Sequence, residues 1–272
     1  MSPRIAIIGS GSWATALAKL LLNNTTKINW FIRKQEDIAL FKEYKNNPKY
    51  LSSVDFDISK ISFFDSISDC IKNSDYIILA IPSAFLNDSF LNLTNNDFKD
   101  KFVFSAIKGI VPEHNLIVGE YLNTIYKVSL QNIGVITGPC HAEEVAMEKL
   151  SYLTIASQNT NSASVLSNLV NCRYLKSSVS DDIYGTEYSA VLKNVIAVAG
   201  GICHGLGYGD NFLAVLISNA IQEIKRFVDE VHPINRDINA SAYLGDLLVT
   251  AYSQFSRNRM FGTMLGKGYG VK

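Results

Sequence analysis

The stretch Arg4-Ile5-Ala6-Ile7-Ile8-Gly9-Ser10-Gly11-Ser12-Trp13-Ala14 decides the fold of the first half of the chain. Its β-branched run predicts a buried strand, and the apolar pattern after Ala14 predicts a helix. Strand, glycine-rich turn and helix in this order are typical of a dinucleotide-binding unit. Gly9 permits the tight turn, and Gly11 lets the backbone approach a pyrophosphate at the helix N-terminus. The alternative is an ordinary turn between a strand and a helix.

Strand and helix signals alternate up to about residue 180. Strands are predicted at 4–8, 28–32, around 58–64, and at 74–82, 102–107, 131–137 and 152–157, with a helix near 162–171. Beyond residue 180 only helical patterns remain, at 186–202, 212–228 and 242–251. The change predicts an α/β protein with a Rossmann-like dinucleotide-binding domain over 1–180 and an all-helical substrate and catalytic domain over 181–272.

Two cations follow the second predicted strand. Dinucleotide-binding units that take NAD have an acidic residue there, which binds the ribose hydroxyls. Here the positions carry Arg33 and Lys34. Because cations favour a 2′-phosphate, NADP is the expected cofactor, and NAD stays open. The alternative is that both residues are solvated surface charges.

The predicted helix at 186–202 is apolar almost all round, which is typical of a buried helix. Lys193 and Asn194 lie in its middle. A buried lysine needs a partner or a chemical role, and burial moves the pKa of an amine toward the range of a general acid–base. The alternative is a lysine at the helix edge that reaches solvent. Asp246 also lies in apolar surroundings, and a lysine is its obvious partner.

Three other segments carry groups that suit an anionic ligand. Lys108 ends the strand at 102–107, and so faces the crevice where open α/β sheets bind ligands. The segment 138–146 has a loop that enters a helix, where N–H groups are exposed. His141 within it is a candidate catalytic residue, but a lone histidine is more often structural. Ser256, Arg257 and Asn258 offer a hydroxyl, a guanidinium and an amide, which suit a phosphate. They are equally compatible with a helix cap.

Composition excludes several classes of protein. The 272 residues carry no net charge, so there is no basic footprint for nucleic acid. The four cysteines are scattered without a Cys-x-x-Cys pair, which argues against a disulfide framework or a zinc site. No metal is expected. The absence of a signal sequence and of a long uncharged apolar run predicts a cytoplasmic protein without a membrane span.

In order along the chain, seven segments resemble the bacterial type of NAD(P)-dependent glycerol-3-phosphate dehydrogenases. They are residues 9–18, 108–110, 138–144, 192–197, 205–211, 245–247 and 256–262. The resemblance implies an enzyme that reversibly reduces dihydroxyacetone phosphate to sn-glycerol 3-phosphate with a nicotinamide cofactor, and so supplies glycerophospholipid synthesis.

The resemblance also implies roles for individual residues. Lys193 is the proton donor and acceptor, Asp246 orients it, and Lys108 lies between cofactor and substrate. We expect Lys108 and Asn194 to polarise the reacting oxygen. The implied substrate contacts are Gly138, Cys140, Ser256, Arg257 and Asn258. The implied cofactor contacts are Ser12, Trp13, Arg33, Lys108, Ala142 and Arg257, which add to Gly9, Gly11 and Lys34.

Two departures from the family pattern affect these expectations. Cys140 stands where the family usually has serine, and a thiol is a weaker donor, so its substrate contact is open. The family pattern continues through further helices beyond Tyr269, whereas this sequence ends at Lys272, so we expect either a shortened piece of a longer chain or a protein with a shortened helical domain. Two alternatives therefore remain: a dinucleotide-binding homologue without turnover, and a related dehydrogenase of another phosphorylated substrate. A homodimer is also left open.

Overall fold

The computed structural model describes residues 3–271. The chain divides into two compact units. The first contains the residues up to Ile136 and Cys140–Ile183, and the second contains Thr137–Pro139 and the chain from Tyr184 onward. The short segment Thr137–Pro139 therefore groups with the helices of the second unit although it follows the first unit in sequence.

The first unit is built on an eight-stranded sheet in the order β10-β9-β8-β5-β4-β1-β2-β3. The strands are β1 Ile5–Ile8, β2 Ile28–Phe31, β3 Ile61–Phe64, β4 Tyr76–Leu79, β5 Phe102–Ser105, β8 Ile133–Thr137, β9 Ser151–Ser157 and β10 Leu175–Ser180. The pairing is parallel between each two neighbours in the run β3-β2-β1-β4-β5-β8, and it is also parallel between β9 and β10. A hairpin of β6 Ile110–Val111 and β7 Leu116–Ile117 lies apart from this sheet.

Helices cover the sheet, and its central strands are buried on both faces. These helices are α1 Ser12–Leu21, α2 Gln35–Tyr44, α3 Ile67–Lys72, α4 Leu86–Phe90, α5 Val118–Tyr126, α6 Ala142–Ala146 and α7 Thr160–Val170. All four residues of β1 and of β4 are buried. One core cluster contains Ile7, Leu17 and Trp30, and another contains Ile8 and Phe90. Burial on both faces explains why these strands read as continuous apolar runs.

The second unit is helical from Tyr184 onward. Its helices are α8 Ile183–Gly205, α9 Asp210–Val231, a π-helical turn at Ser241–Gly245, α10 Asp246–Tyr252 and α11 Arg257–Gly266. On α9 the residues buried at spacings of three and four, from Leu213 to Val228, form one core cluster with Leu247 and Ala251. The helix expected at 242–251 is thus two segments, since the π-turn ends where α10 begins. Over residues 3–271, no helix is long and apolar enough to cross a membrane.

Helices α8 and α11 approach each other through glycines. A Cβ added to Gly201 would lie 2.1 Å from the carbonyl oxygen of Arg259, and one added to Gly262 would lie 2.1 Å from that of Val198. Gly205 and Gly266 face the partner backbone in the same way, at 2.4 Å and 2.3 Å. Because side chains would hold the two backbones apart, these glycines set the position of α11 along α8.

Candidate active site

The glycine-rich turn between β1 and α1 has the geometry that a dinucleotide requires. Gly9 has φ +129°, and a Cβ on it would lie 2.4 Å from the carbonyl oxygen of Ala80. Only glycine fits both constraints. Two side chains from elsewhere in the first unit stabilise the turn. Trp30 Nε1 donates to the Gly9 carbonyl at 2.7 Å, and Asn47 Nδ2 donates to the Ser10 carbonyl at 2.9 Å.

The same turn presents groups that fit a bound pyrophosphate. Gly11 is the N-cap of α1 and gives no side-chain cap, so the first N–H groups of the helix are left for a ligand. A Cβ on Gly11 would meet nothing within 4 Å. The Trp13 Nε1 atom is buried and has no hydrogen-bond partner among residues 3–271. Gly11, Ser12 and Trp13 therefore offer open space and free donors where a nicotinamide dinucleotide is expected.

Arg33 and Lys34 lie just beyond the carboxyl end of β2, and both are exposed. Lys34 is the N-cap of α2. The first turn of that helix carries Asp37, whose carboxylate accepts from Lys49 Nζ at 2.6 Å and 2.8 Å, and Gln35 donates to Asp65, which follows β3. The structure therefore places two cations where a ribose 2′-phosphate is expected.

In the second unit, Lys193 of α8 and Asp246 at the start of α10 form a buried ion pair. Lys193 is 4% exposed and Asp246 is 1% exposed. This burial excludes the interpretation of Lys193 as a solvated edge lysine and confirms the expected pairing. Thr137 Oγ1 donates to the Asp246 carboxylate at 3.4 Å, which gives that carboxylate a second partner beside Lys193. Thr250 Oγ1 donates to the main-chain carbonyl of Asp246 at 2.6 Å, one turn earlier in α10.

The segment expected to bind a phosphate forms the beginning of α11. Ser256 is its N-cap, and its Oγ accepts from the Arg259 N–H at 3.2 Å, so the expected alternative of a helix cap is confirmed for this residue. A hydroxyl that accepts in this way can still donate its own proton. Arg257 is exposed and Asn258 is half-buried. A capped ten-residue helix that begins with a guanidinium and an amide remains compatible with an anionic group.

The other predicted ligand residues belong to the first unit, except Gly138 and Asn194. Lys108 follows the carboxyl end of β5 and is half-buried. Cys140 is buried, and Ala142 is the first residue of α6. Gly138, which has φ +119°, and the half-buried Asn194 lie in the second unit with Lys193 and Asp246. No group of three or more His, Cys, Asp or Glu that could hold a metal ion occurs among the described residues.

Sequence reasoning missed the residues that support these sites. Thr137 donates to the Asp246 carboxylate, and Asn47 holds the glycine-rich turn. Asn47 stands in a polar stretch without periodicity, so no pattern marks it. Thr137 did have a signal, because it ends a strand at the carboxyl edge of the sheet, where ligand-binding residues gather.

Two family models match the chain. The model of the NAD-dependent glycerol-3-phosphate dehydrogenase N-terminus matches residues 4–163, and that of the C-terminus matches residues 182–272. Glycerol-3-phosphate dehydrogenase [NAD(P)+] of Clostridium botulinum (strain Eklund 17B / Type B) is 34% identical over 269 residues, which are 98% of this chain and 80% of the relative. The enzyme of the same name from Bacillus velezensis is 33% identical over 98% of this chain and 77% of its own length.

A solved structure is similar over the same extent. The crystal structure of glycerol-3-phosphate dehydrogenase from Coxiella burnetii has a TM-score of 0.89 at 26% identity, and the match covers 98% of this chain and 81% of that one. Both halves of the chain, its fold and its sequence thus agree with one family. This chain belongs to the NAD-dependent glycerol-3-phosphate dehydrogenases.

Proposed function

We propose that this chain reduces dihydroxyacetone phosphate to glycerol 3-phosphate with NADPH or NADH, and that Lys193 transfers the proton. The observation that carries the proposal is the buried pair of Lys193 and Asp246, in the same unit as the helix that begins with Arg257 and Asn258. Glycerol-3-phosphate dehydrogenases [NAD(P)+] of several bacteria are 30–34% identical to the chain, which supports the assignment.

When bound, the nicotinamide supplies or accepts the hydride. The carbonyl oxygen gains negative charge as it is reduced, and Lys193 holds a proton at Nζ that neutralises it. Asp246 pairs with the ammonium, and its carboxylate also accepts a hydrogen bond from Thr137. Asn194, the next residue along α8, donates from its amide to the same oxygen. In the reverse reaction the lysine takes the proton back.

Substrate phosphate binding is assigned to the beginning of α11. Arg257 supplies the guanidinium, Asn258 the amide, and Ser256 the hydroxyl, while the helix N-terminus adds positive potential. Binding energy from this remote group orients the carbonyl against Lys193. Substrates without the phosphate are therefore expected to be poor. Gly138, Cys140 and Lys108 remain candidate substrate contacts, and Ala142 remains a candidate cofactor contact.

NADP is proposed as the preferred cofactor because Arg33 and Lys34 stand exposed where NAD-specific units carry an acid. The ratio of kcat/KM for NADPH to that for NADH tests this preference, and the R33A/K34A variant is expected to lower that ratio by about tenfold or more. A ratio that stays unchanged in the variant contradicts the assignment. A cytoplasmic location and a homodimer are further proposals, tested by cell fractionation and light scattering.

The experiment that tests the function follows the loss of NADPH absorbance with dihydroxyacetone phosphate. We expect substrate-dependent oxidation that falls by about 10²–10⁴-fold in Lys193→Met, as for loss of a general acid. The matched control is Lys99→Met, because Lys99 is an exposed lysine of the first unit. Arg257→Ala is expected to raise KM steeply. NADPH binding without any oxidation would instead identify a dinucleotide-binding protein without turnover.

A further inference from the structure

Ser189 of α8 has a buried hydroxyl without a partner. The residue is 3% exposed, and its Oγ has no hydrogen-bond partner among the described residues. A buried hydroxyl that makes no hydrogen bond costs free energy, and a serine inside a helix usually avoids this by donating to the carbonyl four residues earlier. Ser189 does not do so. Alanine would carry no such cost at this position, so the hydroxyl indicates a ligand that the polypeptide itself does not supply.

The position of Ser189 on the helix relates it to the reaction. Ser189 precedes Lys193 by four residues within α8. Residues four apart lie on one face of a helix, with their Cβ atoms about 5–6 Å apart. Long helical side chains lean toward the helix N-terminus, so the stem of Lys193 runs back over the turn that carries Ser189. The unpartnered hydroxyl is therefore next to the residue that handles the proton.

The contacts between α8 and α11 give the direction of the site along α8. The Arg259 carbonyl lies against Gly201, eight residues beyond Lys193, which at about 1.5 Å per residue is about 12 Å along the axis. Ser189 lies about 6 Å from Lys193 in the opposite direction. Ser189 and the contact with the first turn of α11 thus lie on opposite sides of Lys193 along α8. In dihydroxyacetone phosphate the hydroxymethyl and the phosphate likewise lie on opposite sides of the carbonyl.

We propose that Ser189 Oγ binds the terminal hydroxymethyl group of the substrate and makes the enzyme selective for a hydroxyketone phosphate. This inference rests on the proposed function, because it uses the roles given there to Lys193 and to the start of α11. With the phosphate held at one end and the carbonyl at Lys193, a hydrogen bond at the third group fixes the rotation of the substrate about its long axis. A methyl group in place of the hydroxymethyl leaves Ser189 unsatisfied.

The test compares two substrates and two buried serines. Hydroxyacetone phosphate differs from dihydroxyacetone phosphate only in carrying a methyl instead of the hydroxymethyl. Ser189→Ala is expected to lower kcat/KM for dihydroxyacetone phosphate about 3–10-fold, the size of one hydrogen bond, and to leave kcat/KM for hydroxyacetone phosphate within about twofold. The matched control is Ser157→Ala, since Ser157 is also fully buried but donates to the Ile133 carbonyl at 2.8 Å.

Thermal stability also distinguishes the two variants, because Ser189→Ala is expected to lose activity but not stability and Ser157→Ala to lose stability but not substrate preference. Ser189→Ala keeps or raises the melting temperature because it removes an unsatisfied hydroxyl. Ser157→Ala lowers the melting temperature and leaves the substrate preference unchanged. An equal loss on both substrates in Ser189→Ala would overturn the proposal, since the serine would then act through the lysine or the fold. A lower melting temperature with unchanged activity would also overturn it and would indicate a hydroxyl satisfied by buried water.

A binding measurement separates failure of this inference from failure of the proposed function. If the unaltered protein oxidises NADPH with neither ketone phosphate, the proposed function is wrong. The rise in melting temperature that each ketone phosphate causes in the cofactor-free protein then decides the role of Ser189. The inference holds if dihydroxyacetone phosphate gives the larger rise and Ser189→Ala removes the difference. It falls if the two ketone phosphates act alike in the unaltered protein.

Discussion

Removing the carboxylate from the buried ion pair is expected to destabilise the protein more than removing both charges. In Asp246→Asn, Lys193 keeps its position inside the second unit, where it is 4% exposed, but loses its countercharge. A buried charge left without its partner typically costs about 3–5 kcal/mol. For a chain of this size each kcal/mol lowers the melting temperature by about 2–4 °C, so we expect a fall of about 6–20 °C.

The double variant Lys193→Met with Asp246→Leu supplies the comparison. Replacing both members of a buried pair by apolar residues of similar volume is often neutral or stabilising, so we expect its free energy of unfolding to lie within about 1 kcal/mol of the unaltered protein or above it. Urea unfolding followed by circular dichroism measures all three proteins, and NADPH oxidation shows that both variants lose activity. A single variant as stable as the double variant would refute the reasoning, since the pair would then be neither desolvated nor coupled.

Three further predictions concern the packing, a surface ion pair and a thiol. Gly262→Ala should cost about 1–3 kcal/mol in urea unfolding, because the new Cβ would lie 2.1 Å from the Val198 carbonyl oxygen. Gly200→Ala should cost less than about 1 kcal/mol, because its Cβ would meet two leucine methyls, of Leu213 at 3.2 Å and Leu216 at 4.0 Å. The hydrogen bond from Arg4 lowers the pKa of Asp75, so this pair stabilises the fold above about pH 4 and loses that effect as the pH falls further. Asp75→Asn should accordingly melt about 1–3 °C lower at neutral pH and show a smaller difference in acid, since the pair is exposed. Burial raises the pKa of Cys70 to about 12, so an aromatic disulfide reagent should leave it unlabelled in the native protein and label it in urea.

The parts of the fold that the sequence predicted are those with strong apolar patterns. The strands near Ile5, Ile28 and Ile77 were predicted within a few residues, because buried parallel strands are continuous apolar runs. The strand Leu175–Ser180 was not predicted. Only Leu175 of this strand is buried, its four polar residues are exposed or half-buried, and it lies at the edge of the sheet. A polar edge strand gives a weak signal because only one of its faces contributes to a core.

Helix α5 and the two-residue strands beside it were missed for a different reason. Val118–Tyr126 is short, begins without a capping side chain and follows a turn in which Asn115 has φ +53°. The hairpin of Ile110–Val111 and Leu116–Ile117 is shorter than any periodic pattern can show. The break at Gly245 was missed because an apolar stretch reads alike as an α-helix or as a π-turn followed by one.

In the candidate site, too, the sequence predicted the residues with a strong physical signal and missed those without one. A buried charge is costly, so Lys193 and Asp246 stand out in an apolar sequence even though 53 residues separate them along the chain. Residues that only orient others carry no such mark. Thr137 has only the general signal of a residue at the end of a strand, and it reaches the Asp246 carboxylate only in the folded chain. For Ser189 the sequence shows only that the residue near Lys193 is small. Its hydroxyl stands out only in the folded chain, where it is buried without a partner four residues before Lys193, and so the proposal about substrate selection rests on the structure.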